Sequence, residues 1–326
     1  MSVPLEPLRF RRHLVEKVWG GRALEARFGF ELPAGKRIGE TWEIVDREGE
    51  NSVVDGGPFD GLRLADLMKE RGSELLGSAP ASRSGRFPLL VKYIDAADDL
   101  SVQVHPNEEA AAALGGAAES KTEAWVVVDV DAGGKLYAGL RPGLDRAQYE
   151  PVASRAEGVP LLVDHDVAPG DCVLVRGGTV HAIGKGVTIL EVQENSDTTY
   201  RLYDWGRVGL DGQPRETHVE EAMACTVYDR VVERIRPSGL SDEPEPLVHS
   251  PLFGLDRLRL TEAREEPAAE AFRIYAVLSG SGAIVEEGRF WSLETGSVWL
   301  LPASFGAHRI APAQDGLELI VARPGA

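Results

Sequence analysis

LSVQVHPN, residues 100–107, is an apolar run that carries two polar side chains and then stops on a proline. In a strand every second side chain points to the same face, so Gln103 and His105 share one face while Val102 and Val104 share the other. The valines belong in a core. The amide and the imidazole are left facing something else, and Pro106, which has no N–H to give to a ladder, closes the strand.

Similar stretches surround it. SVVDGG (52–57), PLLVKYID (88–95), EAWVVVDV (123–130), KLYAGL (135–140), DCVLVRGG (171–178) and VTILEVQEN (187–195) are short, rich in Val, Ile, Leu and aromatics, and bounded by Gly, Pro, Asn or Asp. Their close spacing, with little helix between them, predicts a mainly β chain folded as an antiparallel sandwich or barrel. Helical patterns are expected only over 59–77, 107–114, 145–156 and 218–229. RPSGLSDEPEPLVHSP (236–251), rich in Pro, Ser and acidic residues, is expected to be a linker, which divides the chain into domains of 1–235 and 236–326. Beyond the linker the strand-and-turn pattern resumes. APGDCVLVRGGTVHAI and ETGSVWLLPASFGAHRI share a Gly turn, an apolar strand, a turn of small residues and a histidine, which predicts two related barrels. The second has no counterpart of QVHP, so His308 is expected to be a surface or hydrogen-bonded residue rather than a ligand.

Length and charge bound the function. The 326 residues suffice for two cores, and the formal net charge of −17 argues against a nucleic-acid surface or an anionic membrane, each of which favours a basic stripe. A small anion needs only a local cluster of cations. The opening residues hold no apolar run of signal-peptide length, and no stretch approaches the roughly 18 apolar residues of a membrane span, so the expected location is cytoplasmic. Cys172 and Cys225 lie in apolar segments outside any CxxC pair, which fits buried thiols in a reducing compartment.

Two further stretches present polar groups on strands. KTEAWVVVD places Lys121 and Glu123 on one face, and GGTVHAIGKG places His181 just after a turn. Two imidazoles, a carboxylate and a neutral amide oxygen make a donor set for zinc, iron, manganese or cobalt, and four such ligands leave a position open if the metal exceeds tetrahedral coordination. Spacing alone does not separate this from histidines that serve structure beside a turn.

FPLLVKYIDAADDLSVQVHPNEEAAAALGGAAESKTEAWVVVD, followed by GGTVHAIGKGVTILEVQENSDTTYRLYDWGR, resembles the type I phosphomannose isomerase family in its short bacterial form, and KVWGGRALEARFG and IGETWEIVD resemble its N-terminal segments. The likeness runs from about Leu8 to Met223 and is loose beyond the linker. It implies a double cupin with a few helices beside the first barrel, and a C-terminal domain that is a degenerate cupin. It implies one zinc held by Gln103, His105, Glu123 and His181, with Arg201 as the active-site arginine. Ser101 and Lys121 match residues associated with the substrate phosphate, while Glu40, Glu191 and Asp197 match polar pocket residues. One position departs: Ile183 stands where some eukaryotic members carry an aromatic residue.

The implied reaction is the interconversion of mannose 6-phosphate and fructose 6-phosphate through an enediol or enediolate. It needs a cation near the sugar oxygens and a base near C1 and C2, for which Glu191, Asp197 and Lys121 are candidates. A guanidinium stays protonated, so Arg201 suits a charge clamp or electrophile, with an ion pair to Asp197 or Asp204 as its structural alternative. The expected partner is a sugar phosphate, with neither nucleic acid nor membrane, and the chain is expected to be a monomer, a dimer not being excluded. Two rivals stand beside this reading. A cupin oxygenase would bind iron and leave the glutamine, Lys121 and Arg201 without purpose, and a non-catalytic sugar-binding cupin should lack a ligand or the arginine.

Overall fold

The structure, a computed structural model, describes residues 3–238 and 242–325. Nineteen strands account for most of the regular structure: β1 (His13–Gly21), β2 (Ile38–Ile44), β3 (Leu89–Ala96), β4 (Val102–Val104), β5 (Glu123–Val130), β6 (Lys135–Leu140), β7 (Leu162–Asp166), β8 (Cys172–Val175), β9 (His181–Ile183), β10 (Val187–Glu194), β11 (Tyr200–Tyr203), β12 (Arg234–Ile235), β13 (Glu245–His249), β14 (Phe253–Leu260), β15 (Arg264–Glu266), β16 (Arg273–Glu286), β17 (Arg289–Glu294), β18 (Val298–Leu301) and β19 (His308–Pro324). The chain is mainly β, as its strand spacing predicts, with a few short helices.

Two compact units divide it. Unit one comprises Leu14–Trp42 and Val91–Arg236, and unit two comprises the segment through His13, Glu43–Leu90 and the residues from Pro237 onward. The chain passes between them four times, the last time at Arg236. Of the expected linker, residues 239–241 lie outside the described residues, and its second half contains β13.

In unit one a seven-stranded sheet, ordered β1-β2-β3-β10-β5-β8-β12, accompanies a five-stranded sheet, ordered β11-β4-β9-β6-β7. Their inner faces share a core in which Ile94, Trp125, Val127 and Ile189 from the first sheet pack with Leu136, Ala138 and Ile183 from the second, all fully buried. Side chains that alternate around this core leave a polar set on the same inner surface, and that set is the site. The outer face of the five-stranded sheet is covered by helices: Val102, Val104, Ala182 and Leu202 pack with Ala110 and Leu114 of α1 (Glu108–Leu114) and with Ala222, Met223 and Cys225 of α2 (Val219–Cys225). Asn107 caps α1 by accepting from the Ala110 N–H, so the residue that follows the strand-ending proline starts the helix that covers the strand.

Unit two carries a third sheet with the order β13-β14-β19-β16-β17, β15 pairing with β19 and β18 with β16. The helix over Leu64–Leu76, expected beside the first barrel, belongs here and buries Leu64, Leu67, Leu75 and Leu76. It ends on Gly77, where φ is +62° and a Cβ would stand 2.0 Å from the Glu270 carbonyl oxygen, so only glycine fits.

Two local expectations fail for visible reasons. SVVDGG forms isolated bridges, Phe10 with Val54 and Val53 with Arg63, rather than a strand, because Gly56 and Gly57 turn the chain at positive φ. The helix expected over 145–156 is a single turn, Arg146–Tyr149, since Pro151 cannot donate the next bond.

Candidate metal centre and active site

Antiparallel pairing sets one row of the site. β4 lies between β11 and β9, with Gln103 opposite Arg201 on one side and opposite His181 on the other, so three polar residues distant in sequence become lateral neighbours. Glu123 opens β5 on the other sheet, and His105 lies one residue past the end of β4. These groups converge inside unit one. His105 Nε2 is 3.3 Å from Glu123 Oε2 and His181 Nε2 is 3.4 Å from Glu123 Oε1. All three residues are about 1% exposed, and their donor atoms lie within 4.8 Å of one another.

The main chain fixes the tautomers. His105 Nδ1 is 2.8 Å from the Thr198 carbonyl and His181 Nδ1 is 2.8 Å from the Thr179 carbonyl. A carbonyl oxygen only accepts, so each Nδ1 carries the proton and each Nε2 presents a lone pair towards Glu123. Burial, reinforced by the Lys121 charge, lowers the pKa of His105 to about 3, and burial lowers that of His181 as well, so both rings are neutral. Glu123 stays ionised: its burial is outweighed by the Lys121 ammonium, which holds its pKa well below the usual carboxylate range. Two imidazole lone pairs and a carboxylate aimed at one point need a cation, and here the Lys121 ammonium supplies a positive charge at the edge of the set. It lies 2.8 Å from Glu123 Oε2 and 3.2 Å from His105 Nε2. This donor set fits a divalent metal. Gln103 turns its amide nitrogen to His181 Nε2 at 3.2 Å while its oxygen accepts from Ser101 Oγ at 3.1 Å. A half-turn of the amide presents the oxygen instead.

A cavity of about 320 Å³ opens beside these groups. Glu191, on β10, lies 3.2 Å from Lys92 Nζ and 3.8 Å from Lys121 Nζ. Its burial and the neighbouring Glu123 charge raise its pKa against the pull of both lysines. Glu40 is clamped by Lys17 at 3.1 Å, by Lys92 at 3.7 Å and by the Trp42 indole N–H at 2.7 Å. Burial opposes its ionisation, but Lys92 and Lys17 outweigh it and lower the pKa to about 2. Asp197 lies at the exposed rim of the cavity.

Arg201 lines the cavity without forming an ion pair among the described residues, so neither expected carboxylate partner holds it. Its Nη1 donates to the Glu216 carbonyl at 2.7 Å, its Nε is buried without a hydrogen-bond partner, and burial together with the Arg215 charge lowers its pKa. Asp204 instead binds Arg207 and Arg215. Ile183, the departure from some eukaryotic members, is buried on the cavity wall.

Several site residues escape a reading of the sequence. Lys92 had a signal, being the one charge among Leu, Val, Tyr and Ile in LLVKYI. Lys17 and Arg215 had none. His218 exchanges hydrogen bonds with the Arg201 backbone: its Nδ1 accepts from the Arg201 N–H at 3.3 Å and its backbone N–H donates to the Arg201 carbonyl at 2.7 Å.

Residues 8–124 match the family model for the catalytic domain of type I phosphomannose isomerase. Over 308 residues the chain is 34% identical to a mannose-6-phosphate isomerase of Bacillus subtilis, covering 94% of this chain and 96% of that protein. The chain belongs to the type I phosphomannose isomerase family. A Streptococcus mutans member, also named mannose-6-phosphate isomerase, is 34% identical over 300 residues, 91% of this chain and 92% of the relative. The crystal structure of a mannose 6-phosphate isomerase from Bacillus subtilis matches with a TM-score of 0.83 at 29% identity, covering 98% of this chain and 99% of that one. Family membership thus agrees with the β architecture and with the motifs that supply His105, Glu123 and His181.

Proposed function

We propose that this chain interconverts mannose 6-phosphate and fructose 6-phosphate, with one zinc ion per chain held by His105, Glu123, His181 and, after its amide turns, Gln103. The observation that carries this reading is the convergence of two Nε2 lone pairs on the Glu123 carboxylate at 3.3 and 3.4 Å, at the wall of a cavity that also holds Glu191, Lys92 and Arg201. Bound zinc would supply Lewis acidity to the oxygens on C1 and C2.

The chain's own residues divide the remaining work. Glu191 is the proton carrier: burial and the Glu123 charge raise its pKa, which makes this carboxylate a stronger base to take the proton from C2 and return it to C1. Lys92, whose pKa is raised by Glu191 and Glu40 against the cost of burial, stays protonated and steadies Glu191. Lys121 offsets the negative charge that builds on the sugar oxygens and is also the family's match to a phosphate-associated residue, with Ser101 beside it, while Arg201 is a charge clamp on the substrate. Glu40, locked between two lysines, orients sugar hydroxyls, and Asp197 meets the substrate at the rim. The residues from 236 onward form a supporting cupin-like domain without chemistry of its own, in a cytoplasmic, monomeric enzyme.

One coupled assay tests the reading: mannose 6-phosphate in, fructose 6-phosphate out, with chelator and with zinc restored. Turnover that falls on chelation and returns with zinc is expected. A folded, zinc-loaded protein that shows no turnover would refute the reaction.

A further inference from the structure

The lysines of the cavity are committed. Lys17 Nζ lies 3.1 Å from Glu40, Lys92 lies 3.2 Å from Glu191, and Lys121 lies 2.8 Å from Glu123 and 3.2 Å from His105. Lys121 therefore sits against the groups that hold the metal, at the end of the cavity where C1 and C2 must lie. The substrate's phosphate is separated from those carbons by the length of the sugar chain, so a cation at the reacting end does not also reach the dianion. Two cations of the cavity remain, Arg201 and Arg215.

Their surroundings carry excess positive charge. Arg215 is paired with Asp204, which is buried, Arg207 divides between Asp204 at 3.0 Å and Asp98 at 3.6 Å, and Arg201 has no carboxylate among the described residues, so three guanidiniums face two carboxylates. Arg215 spends Nε on Asp204 Oδ2 at 2.7 Å and Nη2 on Oδ1, which leaves Nη1 without a partner among the described residues. Asp204 thus holds the guanidinium plane in place and leaves one edge of the fork open. An oriented guanidinium with spare N–H donors is a recognition group for a phosphate dianion.

We propose that Arg215 recognises the phosphate of the substrate, with Arg201 as its neighbour, and that Lys121 serves the reacting end instead. This rests on the sugar-phosphate reading above. Arg215→Gln is expected to raise the KM for mannose 6-phosphate and the Kd for inorganic phosphate by about tenfold or more, with kcat changed far less, zinc content unchanged and melting preserved. Arg215→Lys, which keeps the charge and loses the fork, should recover part of the affinity. Lys121→Gln should act mainly on kcat. On the unaltered chain, inorganic phosphate should shield Arg215 from phenylglyoxal, read by peptide mass. The assignment is overturned if Arg215→Gln leaves the phosphate Kd unchanged, if that Kd follows Lys121→Gln instead, or if phosphate does not shield Arg215. A wild-type protein that binds phosphate through Arg215 yet does not isomerise would sink the proposed reaction and leave this assignment standing.

Discussion

Glu191 and Glu40 sit on the same wall of one cavity, share Lys92, and have pKa values displaced in opposite directions. Each carboxylate has two lysines within 4 Å, so the remaining neighbours decide: Lys92, Lys17 and the Trp42 N–H hold Glu40 as an anion, whereas Glu191 lies beside the Glu123 charge, which adds to burial in raising its pKa. Glu191→Gln keeps the shape and removes the base, so kcat should fall by about 10²–10⁴-fold with zinc content unchanged, measured by turnover and metal analysis. Glu40 makes a separate contribution to stability. Its folded pKa of about 2 lies below the usual 4.5, so its ion pairs stabilise the fold by about 3 kcal/mol above that value, and this is lost as pH falls from 4.5 towards 2. Urea unfolding of wild type and Glu40→Gln across that window should show their difference narrowing. A difference that stays constant with pH would remove the ion pairs as its cause.

At the scale of elements, the site depends on two turns in contact. The Gly178 N–H donates to the His105 carbonyl at 2.7 Å, and the Lys121 N–H donates to that of Pro106 at 3.0 Å. Gly177 lies against the same turn, where an added Cβ would come within 2.5 Å of the Pro106 oxygen and 2.7 Å of Asn107 Cα. Gly177→Ala should therefore cost roughly 1–3 kcal/mol by overpacking and weaken metal binding by displacing His105, as read by melting and zinc titration. QVHP was legible in the sequence because a period of two puts Gln103 and His105 on one face, and β5 and β10 were legible as apolar runs. Arg215 was not, since it stands in a polar loop where nothing local distinguishes a cavity arginine from a solvated one. The tautomers of both histidines were equally hidden, because they depend on carbonyls whose positions the side-chain pattern does not encode.

Across the whole molecule the motif shared by the two halves keeps its geometry and changes its use. In unit one β8 is followed by His181 opening β9, and in unit two β18 is followed by His308 opening β19. His308 is buried, not at the surface: its Nε2 meets the Tyr275 hydroxyl at 2.9 Å and Nδ1 lies 3.2 Å from the Gly306 carbonyl. No second metal set of His, Cys, Asp and Glu occurs among the described residues. His308→Gln should lower stability by about 1–3 kcal/mol through the buried hydroxyl, while zinc per chain and turnover stay at wild-type levels. The four passages of the chain between units also set an order of events during synthesis. Once Arg236 has emerged from the ribosome, unit one has all its segments and can close around its site. Unit two has to wait: Leu8 pairs with Leu300, and Phe87 packs on Phe272 at 4.7 Å, so its early segments stay exposed until the last strands are made. The catalytic half can thus be finished while its companion is still being translated.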